Sequence, residues 1–153
     1  MVEQHLQVVK GSIEQARSLS SLDELARTLF ERFFERHPEA NLFFEGFDLN
    51  KVGPLKFCKI SDAFVDVLEY PGYSESSISE EVWRHQVHSV RDREYYFALA
   101  ESFVDTVRTT LGEAWSESHE ECWNETLMGL KHNVGLAAQE HLSQVGGSQL
   151  SVA

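Results

Sequence analysis

Leu22-Asp23-Glu24-Leu25-Ala26-Arg27-Thr28-Leu29-Phe30-Glu31-Arg32-Phe33-Phe34-Glu35-Arg36 is the most regular stretch of this chain. Its apolar side chains fall at 22, 25, 26, 29, 30, 33 and 34, which is one face of an α-helix with the charges on the other. A half-buried strand would alternate with period two, and this run does not. Ser21 followed by Glu24 predicts a capping box at the helix start. Pro38, just beyond Arg36, suits the first turn of a new short helix running toward Phe44.

The same pattern recurs downstream. A helix is predicted over about residues 55–69, with Phe57, Ile60, Phe64, Val67 and Leu68 on one face and Pro71-Gly72 as its stop. Residues 73–77 are polar, and Ser77 with Glu80 predicts the cap of a shorter helix reaching His88. Asp92 opens a long helix with Tyr96, Leu99, Phe103, Val107 and Leu111 inward, ended by Gly112. Ser116 caps a last helix that buries Cys122, Trp123, Leu127, Leu130, Val134, Ala137 and Ala138. Pro38, Pro54 and Pro71 all fall between these apolar-periodic stretches. The expected fold is all-α, with roughly six to eight helices. The domain is expected to span residues 1–142, and the Gly/Ser/Gln-rich residues 143–153 read as a flexible C-terminal tail.

The 153 residues fit one domain with one core, and 42% apolar against 25% charged residues is the balance of an ordinary globular chain. No apolar run approaches the roughly 18 residues of a membrane span. The start, Met1-Val2-Glu3-Gln4-His5, lacks a basic region followed by an apolar block, so a cytoplasmic location is expected. Thirteen Lys plus Arg against 25 Asp plus Glu gives a net charge of −12, which repels nucleic acid, and the few cations form no stripe. Cys58 and Cys122 make no CxxC pair and read as two buried thiols rather than a disulfide.

Chemistry concentrates before Ser89. Ile78, Val82 and His85 follow i, i+4, i+7, which turns His85 to the apolar side, with His88 adjacent. On spacing alone an inward histidine reads first as a core residue, although imidazole is also the commonest metal ligand. Glu81, His85 and His88 together form a second candidate, a carboxylate–imidazole face of a kind that binds zinc or non-haem iron. A di-iron bundle would need Glu-x-x-His on two helices, and Glu117-Ser118-His119 misses that spacing. Nothing reads as a GxSxG elbow, an HExxH pair or a phosphate loop.

Two longer passages then carry a resemblance. One is Leu29-Phe30-Glu31-Arg32-Phe33-Phe34-Glu35-Arg36-His37-Pro38, continuing to Phe43-Phe44; the other runs from His85-Gln86-Val87-His88 through Tyr95-Tyr96 to Phe103-Val104. With Leu111-Gly112 and then Trp123, they stand in the order and at the spacing of globins. Over residues 8–138 the chain resembles the globin superfamily, in particular single-domain haem globins.

The resemblance implies a three-over-three helical fold around a haem b pocket, with His85 as the ligand of the iron and His88 its competitor. Phe44 would occupy the haem-stacking phenylalanine position and Phe47 the next corner aromatic. Phe30, Ile60, Phe64, Tyr96, Leu99 and Phe103 would complete the lining, and Arg84 and Arg91 would face the haem propionates. Lys56 falls at the distal gate, with Phe57 as the alternative register, and Ile60 lies one turn deeper. Neither Phe30 nor Phe57 can donate a hydrogen bond, so the resemblance implies a mostly apolar distal side. Glu81 stands where globins usually place leucine.

The function so implied is reversible binding of a diatomic gas, O2, CO or NO, for storage, scavenging or sensing. The alternative is a haem-free globin-like sensor or interaction module. Enzymatic NO dioxygenation or peroxidation ranks third: the first needs an electron source, hence a reductase partner, because no dinucleotide-binding glycine motif is present. The second wants a distal acid–base residue, and none is evident.

Overall fold

The computed structural model describes residues 2–87, 90 and 92–152, with the side chains of 87 and 142–152 excepted. It is all-α, with no strand among the described residues. Six α-helices follow one another: α1 (Val2–Leu19), α2 (Leu22–Arg36), α3 (Leu49–Glu69), α4 (Pro71–Val87), α5 (Arg93–Leu111) and α6 (Glu117–Val152). A 3-10 helix, Pro38–Phe44, joins α2 to the approach of α3, and another, Gly112–Ala114, links α5 to α6. No helix among them is long and apolar enough to cross a membrane.

The caps explain most boundaries. Ser21 Oγ accepts the Glu24 N–H at 3.1 Å, so the expected cap of α2 forms, while the Glu24 carboxylate turns to Ser20 Oγ instead. Asp92 accepts the Glu94 N–H at 2.9 Å at the head of α5, and Gly112, at φ 54°, ends that helix. Ser116 Oγ accepts the His119 N–H at 3.3 Å at the head of α6. The backbone of α6 continues as helix to Val152, through the segment read as a tail.

Two further boundaries differ from expectation. α3 begins at Leu49, capped by the Asp48 carboxylate on the Asn50 N–H at 3.0 Å, so Pro54 lies inside the helix instead of before it. The carbonyl that Pro54 leaves without a helical partner belongs to exposed Asn50, within reach of solvent. α4 begins at Pro71, not at the expected Ser77 cap. Proline stops one helix and opens the next with equal ease, because the first turn has no use for its missing N–H. Tyr70 alone separates the two helices, its N–H on Asp66 and its carbonyl on the Ser74 N–H at 2.8 Å.

The core lies between α1, α2, α3, α5 and α6, and α4 adds Ile78 and Val82 to it. Phe103 stacks on Phe64 at 5.2 Å and on Phe57 at 4.7 Å, and Phe64 meets Trp123 edge-on at 5.2 Å. All four rings are wholly buried. Trp123 satisfies its indole N–H on Ser12 Oγ at 2.8 Å. α4 packs mainly on α6, where buried Asn133 donates to Ser74 Oγ at 3.1 Å. Cys58 and Cys122 are both free thiols, Cys122 buried and Cys58 half-buried.

Candidate functional site

α4 buries Ile78 and Val82 and brings His85 to the rim of that same face, its side chain 39% exposed. His85 Nδ1 lies 2.7 Å from the Glu81 carbonyl oxygen, one turn back. A carbonyl only accepts, so Nδ1 carries a proton, and of the two neutral tautomers the contact fits the one with its lone pair on Nε2. A metal requires that tautomer of an imidazole, with the second nitrogen fixed by a hydrogen bond. The Tyr96 ring of α5 stands edge-on to His85 at 5.9 Å.

Glu81 is the charge centre of this region. Its Oε1 takes Lys59 Nζ of α3 at 3.4 Å and the Arg84 guanidinium, while its Oε2 lies 3.5 Å from His85 Nδ1. Burial and then the Glu81 charge raise the Tyr96 phenol far above its ordinary value, so it stays protonated. The Tyr96 hydroxyl oxygen is buried and has no hydrogen-bond partner among the described residues. Burial, and next the neighbouring Lys59, push the Lys56 ammonium below its usual range, with Glu81 opposing.

α2 and the following 3-10 helix build an aromatic cluster. Phe30 meets Phe44 at 5.4 Å and Phe34 at 6.0 Å, and Phe34 meets Phe44 at 5.8 Å. Lys56 Nζ sits 5.9 Å from the centroid of Phe44. Neighbouring Phe57 is wholly buried against Phe103, whereas Lys56 is half-buried. Ile60, Tyr96 and Leu99 are partly buried and packed against the core.

Other expected residues fall elsewhere. Phe64 and Phe103 belong to the sealed core beneath, stacked on each other. Phe47 is 62% exposed, because Gly46 at φ 84° carries the chain outward after Phe44. Arg84 is exposed and turned to Glu81. His88 and Arg91 lie outside the described residues.

Sequence reasoning missed Lys59 altogether. Arg84 and His85 stand three and four residues from Glu81 on one helix, but Lys59 comes from another helix and leaves no trace in spacing. Elsewhere, an open groove of about 430 Å³ between α4 and α6 is lined by Ser76, Ser79, Glu80, Trp83 and His141, with Ser79 Oγ and His141 Nε2 2.8 Å apart. Among the described residues no three His, Cys, Asp or Glu side chains gather as a metal cluster. Compared with models of known protein families and with curated protein sequences, the chain matches none.

Proposed function

We propose that the chain is a globin-like protein that holds haem b through His85 Nε2 and reversibly binds a diatomic gas. The observation that carries this reading is the 2.7 Å contact of His85 Nδ1 with the Glu81 carbonyl, which leaves Nε2 as the free donor. The residues fit a flat, mostly apolar cofactor. Phe34, Phe44, Ile60, Tyr96 and Leu99 are apolar or aromatic and only partly covered, and the Tyr96 hydroxyl lacks a partner. A buried unpaired hydroxyl costs about 1–3 kcal/mol, which a polar group on a bound cofactor would offset.

When bound, haem supplies a five-coordinate iron whose open position takes O2, CO or NO. The chain's part is to hold and to screen. His85 anchors one side through a ring whose tautomer its own helix fixes. Phe44, partly buried and backed by the buried Phe30 ring, would offer hydrocarbon to the cofactor. Lys56, with its Nζ 5.9 Å from the Phe44 ring centroid, would be a cation beside that hydrocarbon, while Arg84 is engaged by Glu81. A mostly apolar distal face holds O2 weakly and accepts CO and NO. Storage, scavenging or sensing is the role we read for such a site, with a separate reductase as partner wherever turnover is required.

The test is titration of the full chain with ferric haem, followed by reduction and CO. Saturation at one haem per chain, with a sharp Soret band that moves with CO and is lost in His85→Ala, is the expected result. A His85→Ala protein with an unchanged spectrum contradicts the assignment.

A second reading, a haem-free globin-like sensor or interaction module, is favoured by the Lys59–Glu81 pair, which ties α3 to α4 directly. A folded, helical chain that takes up no haem in the same titration selects it.

A further inference from the structure

We infer that Glu81 is a positioning residue that acts through His85, and that its carboxylate makes His85 a stronger electron donor than a carbonyl contact alone provides. The inference rests on the haem reading above and deepens it. Both oxygen-bearing ends of Glu81 face the same nitrogen: the main-chain carbonyl accepts the Nδ1 proton at 2.7 Å, and carboxylate Oε2 stands 3.5 Å away.

Two cations orient the carboxylate. Lys59 from α3 and Arg84 from α4 both engage Oε1, so the group is held between them with Oε2 left toward the ring. The side chain is about one-third exposed, and water screens it only in part. A leucine at this place would supply the same carbonyl and none of the charge. Negative charge at the far nitrogen of a ligating histidine raises the basicity of the near one and stabilises the more positive metal state. The cations oppose this, so Lys59 becomes a second handle of opposite sign.

The experiment compares full-length haem-loaded wild type with Glu81→Gln and Lys59→Met. It reads the ferric/ferrous midpoint potential and the iron–histidine stretching band of the ferrous, ligand-free form. Glu81→Gln is expected to raise the potential and move the band to lower wavenumber, while Lys59→Met moves both the other way. Opposite shifts from two surface-accessible substitutions would not come from a merely structural role. Potential and band unchanged in Glu81→Gln, with haem still held by His85, overturn the inference and leave the haem reading standing. A wild-type chain that binds no haem overturns both, and Glu81→Gln that folds but loses its haem shows Glu81 to be structural and overturns the inference alone.

Discussion

Lys56 Nζ lies 5.9 Å from the Phe44 ring centroid while the next residue, Phe57, is sealed against Phe103 at 4.7 Å. These two contacts fix the rotation of α3 about its axis. Ile60, one turn on from Lys56, then packs only partly covered, whereas Phe64, two turns on from Phe57, disappears into the core.

Substitution at the two positions should therefore differ sharply. Phe57→Ala removes a wholly buried ring and is expected to cost about 3–5 kcal/mol. Lys56→Ala loses a half-exposed stem and is expected to cost under about 1 kcal/mol. Urea unfolding of both variants, with slopes compared to wild type, checks this; equal losses would mean that α3 is rotated from the orientation described.

Ser12 and Trp123 bring the first and last helices together by a single buried bond of 2.8 Å. Ser12 passes its own proton to the Val8 carbonyl at 2.7 Å, so both groups are satisfied. Ser12→Ala should leave the indole N–H without a partner and destabilise the protein by about 1–3 kcal/mol. Adding Trp123→Phe to that variant should cost less than Trp123→Phe does alone, since the unpaired donor goes with it. Thermal unfolding of the cycle decides, and strict additivity would show that the bond contributes nothing.

Glu120 receives the Arg108 guanidinium through two bonds of 3.0 and 3.1 Å and the Trp115 indole N–H at 2.6 Å. Arg108 first, then Trp115, hold its carboxyl below the usual range. A carboxyl depressed in the folded state adds stability above its unfolded value and loses it as the pH falls through its folded value. Glu120→Gln should thus melt lower than wild type at neutral pH, and the gap should close as acid titrates the site. Melting temperatures from neutral pH down to pH 3 test this; because the side chain is partly exposed, the gap should also shrink in high salt.

Much of this arrangement is written in local pattern. The face of α2, the Asp92 cap and the Gly112 stop follow from periodicity and a few short-range bonds and stand as read, and of the Ser21–Glu24 box the Ser21 half forms. Pro71 misled because a proline carries the same signal at the end of one helix and the start of the next. Pro54 misled because its unpaired carbonyl partner is at the surface, where a break in the ladder costs little. At the site, the turn from Glu81 to His85 is implicit in their spacing. The approach of Lys59, the edge of Tyr96 and the bond from Ser12 to Trp123 depend on how separate helices meet, which no single stretch encodes.

The assignment of His85 is tested most directly by removing its ring and supplying it again. His85→Gly of the full chain, loaded with haem and reduced, should lose the wild-type ferrous and CO spectra, and added imidazole should restore them by occupying the space left by the side chain. A His85→Gly protein with wild-type spectra in the absence of imidazole would contradict the proposal, because the iron would then be held by another residue.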